Sequence, residues 1–186
     1  RIEGDTVRNL ADEIRKLTCE KAVTGLILDL RYATGTNYTD VPLVAAAFLP
    51  KAKHVFTIQR GKDAQNLSVN PAVITGAPLM VLVNHETCGP AEVLAAVLQN
   101  QKRAMILGNS ATAGRAFETS DIPLSNGQIL RLATGKIILP DGTGIFPKGV
   151  QPDVNVPRPQ SSARRPRRLS PRRVWSSVVS LFTPFK

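Results

Sequence analysis

The stretch at residues 78–108, PLMVLVNHETCGPAEVLAAVLQNQKRAMILG, decides the fold class of this chain. Its residues 79–83 form an uninterrupted apolar run, which predicts a buried strand. A helix is predicted from about Pro90 to Asn100, because proline and the acidic Glu92 are both favoured in a first helical turn. The segment RAMILG then predicts a second buried strand. Strand, helix and strand in this order indicate an α/β fold.

The sequence on either side of this stretch continues the alternation of short strands and helices. The further predicted elements are a helix capped by Asp5 or Thr6, a buried strand at 23–31, a helix at 38–50, a half-buried strand at 53–60 and a hairpin turning at Ser125-Asn126-Gly127. We therefore expect an α/β core with a mostly parallel sheet and flanking helices.

The formal net charge of +10 is concentrated at one end of the 186 residues. Residues 1–153 hold 16 Lys and Arg against 14 Asp and Glu, whereas residues 154–186 hold eight basic residues and no acidic one. The core is thus close to neutral, so its charge does not indicate a nucleic-acid-binding fold. Cys19 and Cys88 form neither a metal-ligand cluster nor a disulfide framework, so no cofactor or metal is predicted.

The composition changes at the end of the core, so we expect a core at residues 1–156 and a tail at 157–186. Residues 157–173 are rich in Pro, Ser and Arg and hold too few large apolar groups to offset the entropy of ordering, which predicts disorder. The basic and apolar residues of the tail predict contact with a membrane surface or with nucleic acid; the alternative is a solvated extension. These residues are Arg164, Arg165, Arg167, Arg168, Arg172, Arg173, Trp175, Leu181, Phe182 and Phe185.

Three stretches carry a resemblance to a known family. The first stretch, GLILDLRYATGT, resembles G-L-I-L-D-L-R-x-N-P-G-G. The second, at 78–108, resembles P-L-V-V-L-V-N-x-x-S-A-S-A-S-E followed by a helix and R-A-x-x-x-G. The third, IPLSNGQILRLATGKIILPDGTGIFPKGVQPDV, resembles a family stretch that begins with I-P-L-S-D-G and ends with G-I-x-P-D. These are motifs of the tail-specific, or C-terminal processing, serine peptidases, and the match covers residues 1–156 in order.

The resemblance implies a crotonase-like α/β core, often preceded by a peptide-capturing PDZ domain. It also implies polypeptide C-terminal segments as ligands and an exported, periplasmic or envelope-associated location. A second copy of the chain, in a homo-oligomer, is a further candidate partner. The opening RIEGDTVRNLADEIRKL contains no secretory leader, and it predicts the end of a strand running into a helix. We therefore expect the chain to begin partway through a larger protein.

The resemblance also implies where the catalytic groups belong. In the family a serine at a helix start attacks the peptide carbonyl, a neutral lysine accepts its proton, and backbone N–H groups hold the oxyanion. Aligning S-A-S-A-S-E with Thr87 to Glu92 places the nucleophilic serine at Gly89. The backbone positions for oxyanion or peptide binding are Gly35, Thr36 and Pro90.

The lysine position depends on the alignment register. With one residue inserted after Gly108, the family segment T-F-G-K-G-x-x-Q places its lysine at Arg115 and its glutamine at Thr119. Without the insertion these positions become Gly114 and Glu118. Neither register restores a serine–lysine dyad, because glycine has no side chain and an arginine guanidinium does not become a neutral base.

The substituted dyad predicts a degenerate peptidase that binds polypeptide C-termini or acts as a scaffold. Arg115 would then bind a terminal carboxylate through two parallel hydrogen bonds, or it is a solvated loop arginine. The alternative is an active endopeptidase with Cys88 as nucleophile, because a helix start lowers the pKa of a thiol and His85 is three residues away. Cys88 as a small apolar residue behind the helix start is the structural alternative, and a third function is that of an adaptor that acts through the basic tail.

Two further polar residues are assigned structural roles. His54 lies in the predicted strand at 53–60 and is expected to be structural or exposed. Asp29, in the motif LDLR, is expected to pair or cap within the core.

Overall fold

The computed structural model describes residues 9–10, 12–14, 16–17, 23–50, 53–70 and 76–157. Strands in these ranges are β1 (Leu26–Asp29), β2 (Lys53–Arg60), β3 (Asp63–Val69), β4 (Leu79–Val83), β5 (Ala104–Gly108), β6 (Phe117–Pro123), β7 (Ile129–Ile138) and β8 (Val154–Asn155). A 3-10 helix at Tyr38–Asp40 precedes α1 (Val41–Ala46), and α2 spans Pro90–Asn100. The predicted cap at Asp5 or Thr6 and the basic tail lie outside the described residues.

A parallel sheet with strand order β1-β4-β5-β8 forms the centre of the fold. Val81 in β4 pairs with Ile106 in β5, and both side chains are completely buried. Helix α2 is buried along its whole length up to Leu98, as expected for a helix enclosed by other elements. The predicted strand at 79–83, helix from Pro90 to Asn100 and strand of RAMILG are therefore confirmed, as is the α/β class.

An antiparallel sheet with strand order β3-β2-β7-β6 forms a second layer. The predicted hairpin is confirmed, since β6 and β7 pair antiparallel and the Leu124 N–H donates to the Gln128 carbonyl at 2.8 Å. Strand β3 has no counterpart in the sequence prediction. The loop that precedes β6 enters this sheet directly after passing the start of α2.

Arg103, which directly precedes β5, links two separate segments of the chain. Its Nε donates to the Phe48 carbonyl at 2.8 Å and its Nη2 donates to the Ala77 carbonyl at 2.8 Å. Burial lowers the pKa of this guanidinium from its ordinary value. Within the described residues no helix is both long and apolar enough to cross a bilayer.

The two polar residues with predicted structural roles differ in outcome. His54 is half-buried in β2, where its Nε2 lies 2.9 Å from Thr57 Oγ1, as a structural role requires. Asp29 does pair, with its Oδ2 2.7 Å from Arg31 Nη2, but the pair is exposed at the end of β1. Its expected place within the core is wrong, because the carboxylate points to the solvent side of the sheet edge.

Candidate functional site

Three loops meet at one edge of the parallel sheet. The glycine loop (residues 30–36) follows β1, the turn loop (84–89) follows β4, and the arginine loop (112–115) lies in the segment after β5. Because β1, β4 and β5 are parallel neighbours, their carboxyl ends share this edge. This is the edge at which open α/β sheets bind their ligands.

The glycine loop and the turn loop are joined by a buried polar network. Asn84 Oδ1 accepts a hydrogen bond from the Thr87 N–H at 3.1 Å, and Thr87 Oγ1 donates to the Leu30 carbonyl at 2.9 Å. The Cys88 N–H donates to the Ala33 carbonyl at 3.1 Å. These bonds fix the backbone on both sides of the start of α2.

Gly89 caps α2 in a conformation that requires glycine. Its φ is 61° and its ψ is −133°, a combination that L side chains rarely adopt. A Cβ added here would lie 2.8 Å from the Gly35 carbonyl oxygen and 3.7 Å from the Tyr38 hydroxyl. The backbone group of Gly35 that lies closest to the Cβ position of residue 89 is therefore its carbonyl, which is a hydrogen-bond acceptor.

Glu92 holds the arginine loop in place. Its carboxylate is completely buried and accepts hydrogen bonds from the Thr112 hydroxyl, from the Gly114 N–H at 2.6 Å and from the Arg115 N–H at 2.9 Å. Gly114 has a φ of 66°, and a Cβ there would collide with the Pro147 carbonyl. The loop therefore takes one path, which leaves the Arg115 side chain exposed.

The charges around the start of α2 act on one another. Burial raises the pKa of the Glu92 carboxyl, although its hydrogen bonds and the Arg115 charge oppose this rise. Burial also raises the pKa of the Cys88 thiol, Glu92 adds to the rise, and Arg115 opposes it. The expectation that the helix start lowers the pKa of this thiol is therefore wrong, because desolvation outweighs the nearby positive charge.

Aromatic side chains line the same region. The Tyr38 hydroxyl donates to the Phe117 carbonyl at 2.9 Å, and burial raises its pKa to about 12. Phe117 packs edge-to-face on Phe146 with ring centroids 5.5 Å apart, and Phe146 is 56% exposed. An exposed aromatic surface thus adjoins the arginine loop, since Pro147 contacts Gly114.

The structure brings together some of the residues predicted for the site and separates others. Gly89, Gly35 and Cys88 adjoin one another, whereas Thr119 is exposed in β6 opposite Ala133. Pro90 is buried at the first position of α2 and, as proline, has no N–H to offer an oxyanion.

Three groups were not singled out from the sequence. These are Tyr38, Thr112 and the role of Glu92 in holding the arginine loop. Thr36, by contrast, was predicted for the site, and its side chain is exposed. A single acid in the otherwise apolar segment PAEVLAAVL was the available signal for Glu92, because a buried carboxylate requires partners.

Comparison with known proteins places these features in context. A model of peptidase family S41 matches residues 2–156. The chain is 32% identical over 140 residues to a carboxyl-terminal-processing protease of Synechocystis sp., covering 75% of this chain and 33% of that protein. It is 27% identical over 163 residues to a probable CtpA-like serine protease of Staphylococcus aureus, covering 86% and 32%.

A solved structure shares the fold. The photosystem II D1 C-terminal processing protease aligns with a TM-score of 0.74 and 27% identity, over 84% of this chain and 40% of that one. The chain spans about a third of the length of the curated relatives that it matches.

Proposed function

Because this chain belongs to peptidase family S41, as the match over residues 2–156 shows, we propose that it binds the C-terminal segments of polypeptides without hydrolysing them. The membership expected from the sequence is confirmed. The names of its relatives describe proteases that process carboxyl termini, which supports a polypeptide C-terminus as the ligand class. Loss of hydrolysis is argued from the residues at the start of α2.

The observation that carries this proposal is the backbone at Gly89. The resemblance assigns the nucleophilic serine to this position, yet the residue adopts a φ of 61° and a ψ of −133° with the Gly35 carbonyl 2.8 Å from the place of a Cβ. A hydroxyl-bearing side chain would require the glycine loop to move. The local structure is thus adapted to glycine.

The neighbouring hydroxyl and thiol do not replace the missing serine. Thr87 Oγ1 is completely buried and its proton is donated to the Leu30 carbonyl. The Cys88 thiol is half-buried with a raised pKa, so little of the nucleophilic thiolate is present at neutral pH. Pro90 adds no oxyanion donor, because it lacks an N–H. These features together support binding rather than acyl transfer.

Arg115 is the recognition group in this proposal. Its guanidinium stays charged at all accessible pH values and matches the geometry of a carboxylate. The side chain is exposed, while its backbone is fixed by Glu92 2.9 Å away. A fixed backbone reduces the entropy lost when the side chain binds. The exposed Phe146 ring nearby offers apolar contact to the rest of a peptide.

The proposal is tested with short, unstructured peptides of randomised sequence that carry a fluorophore at the N-terminus and a free C-terminal carboxylate. Arg115→Gln should weaken the binding measured by fluorescence anisotropy by about tenfold or more, the effect of one hydrogen bond to a charged group. Arg131→Gln is the matched control, because Arg131 is an exposed hairpin arginine paired with Asp121. Equal affinities for the two variants would refute the role of Arg115.

A second candidate is hydrolysis with Cys88 as nucleophile, because Arg115 lies close enough to oppose the rise in the thiol pKa. Mass spectrometry of the same peptides after incubation decides between the two. We expect intact peptides. Cleavage that disappears in Cys88→Ala would favour the second candidate and contradict the first.

A further inference from the structure

The side chain of Glu92 is completely buried, and the sequence assigns it no catalytic role. We propose that Glu92 is a positioning residue: its ionised carboxylate fixes the arginine loop and so sets the place of the Arg115 guanidinium, which makes peptide binding depend on the ionisation of Glu92. This inference rests on the proposed function, since it concerns the same recognition group.

The contacts of the arginine loop identify Glu92 as its main anchor. Glu92 Oε1 accepts from the Thr112 hydroxyl and the Gly114 N–H, and Oε2 accepts from the Arg115 N–H. The other hydrogen bonds of the loop are made by its first two residues: the Thr112 N–H donates to the Val150 carbonyl at 3.1 Å, the Val150 N–H donates to the Thr112 hydroxyl at 2.8 Å, and the Ala113 N–H donates to the Thr87 carbonyl at 3.0 Å. The end of the loop that carries Arg115 is therefore held through the carboxylate.

Protonation of Glu92 would remove part of this anchor. A proton on Oε2 places a donor against the Arg115 N–H, whereas a proton on Oε1 can be donated to Thr112 Oγ1 once that hydroxyl rotates to accept it. In either case the N–H groups of the loop lose a charged acceptor, and their hydrogen bonds weaken. The amide of a glutamine has the same consequence, because one side of it carries an NH₂ group.

The groups that face Glu92 make its ionisation distinguishable from other titrations. Burial raises the pKa of Glu92, which brings its protonation closer to neutral pH. Tyr38 from the 3-10 helix and Cys88 from the turn loop both have raised pKa values, so they are neutral below pH 7. The side chains of Arg115, His85 and Glu86 are exposed, and His85 Nε2 lies 3.5 Å from Glu86 Oε1.

The experiment compares the 186-residue chain with Glu92→Gln and with the matched control Glu86→Gln, which removes an exposed charge from the turn loop. Binding of the free-carboxylate peptides is measured from neutral pH to about pH 5, where a terminal carboxylate with a pKa of about 3.5 stays ionised. The unchanged chain and Glu86→Gln should lose affinity on acidification. Glu92→Gln should bind about tenfold more weakly at neutral pH, the effect of one charged hydrogen bond, and show no such loss.

A second measurement needs no ligand. Hydrogen exchange of the Gly114 and Arg115 amides, followed by NMR, should show protection at neutral pH that falls as Glu92 gains its proton. Glu92→Gln should lack protection at whichever of the Gly114 and Arg115 amides faces its NH₂ group. Protection that persists at both amides in Glu92→Gln, or a pH profile of binding equal to that of the unchanged chain, would overturn the positioning role.

The two proposals fail in different ways. If no free-carboxylate peptide binds at any pH, the proposed function is wrong, and the amide protection still decides the role of Glu92. If peptides bind through Arg115 but Glu92→Gln leaves affinity, pH profile and amide protection unchanged, the inference about Glu92 is wrong and the proposed function stands.

Discussion

Replacing Gly89 with serine restores the residue type that the family resemblance assigns to the nucleophile, and the structure predicts that this change is costly. The serine would have to adopt a φ of 61° with a ψ of −133°, and its Cβ would lie 2.8 Å from the Gly35 carbonyl oxygen. Backbone strain of this kind costs roughly 1–3 kcal/mol. An overpacked contact adds roughly 1–3 kcal/mol. We expect Gly89→Ser to lower the free energy of unfolding by roughly 2–6 kcal/mol.

Urea unfolding of matched glycine variants separates the two contributions. Gly61 has a φ of 58° with open space around it, so Gly61→Ser carries the backbone strain alone. Gly76 has open space and no positive φ, so Gly76→Ser should be close to neutral. Gly89→Ser should lower the free energy of unfolding more than Gly61→Ser, because it adds a contact with the Gly35 carbonyl to the strain of a positive φ. Equal losses in these two variants would refute the close approach of Gly35.

The same strain bears on attempts to restore hydrolysis. Relief of the contact moves the glycine loop, which the resemblance assigns to oxyanion binding, and Pro90 still lacks an N–H. We therefore expect Gly89→Ser combined with Arg115→Lys to leave peptides uncut, as judged by mass spectrometry. Cleavage by this double variant would show that the loop adapts to a serine.

The contacts and charges of Arg103, Arg115 and Glu92 each predict a measurable effect. Arg103→Ala removes the charge-assisted hydrogen bonds to the Phe48 and Ala77 carbonyls and should lower the free energy of unfolding in urea by roughly 1.5–3 kcal/mol, whereas an equal loss in the adjacent Lys102→Gln would contradict this. Arg115→Gln removes the charge that opposes the rise in the pKa of Cys88, so alkylation of the thiol by iodoacetamide near pH 8 should slow. An unchanged alkylation rate would show that the Arg115 charge does not act on the Cys88 thiol. The pKa of Glu92 is raised in the folded state above its ordinary 4.5, so the folded state binds this proton more tightly than the unfolded state. The unfolding free energy should therefore fall as the pH rises from about 4.5 through the folded-state pKa. Subtracting the unfolding free energy of Glu92→Gln at each pH isolates this effect, and a difference that grows with pH would contradict its sign.

The sequence predicted the elements that surround the site because their signals are local. The apolar run of β4 and the proline at the start of α2 define those elements without reference to the rest of the chain. Strand β3 (Asp63–Val69) was missed because only Leu67 and Val69 are buried in it. Because β3 is an edge strand, its remaining residues are exposed and polar or small, so the segment lacks the apolar alternation that indicates a strand.

The sequence indicates candidate residues for the site but not their conformation. The resemblance assigns a serine to the position of Gly89, whereas the need for glycine there depends on a carbonyl more than fifty positions earlier in the chain, at Gly35. The bonds of Glu92 likewise join α2 to a loop after the next strand. The positive φ of Gly114 supports the register in which the family glycine precedes Arg115, because a Cβ there would collide with the Pro147 carbonyl.

The central claim is that the chain binds a polypeptide C-terminus through its carboxylate and leaves it intact. Calorimetric titration of the chain with one short peptide as the free acid and as the C-terminal amide tests this most directly. We expect the free acid to bind about tenfold more tightly or better, the effect of losing one charged hydrogen bond in the amide, and to be recovered uncut. Equal affinity for acid and amide, or recovery of shortened peptide, would contradict it.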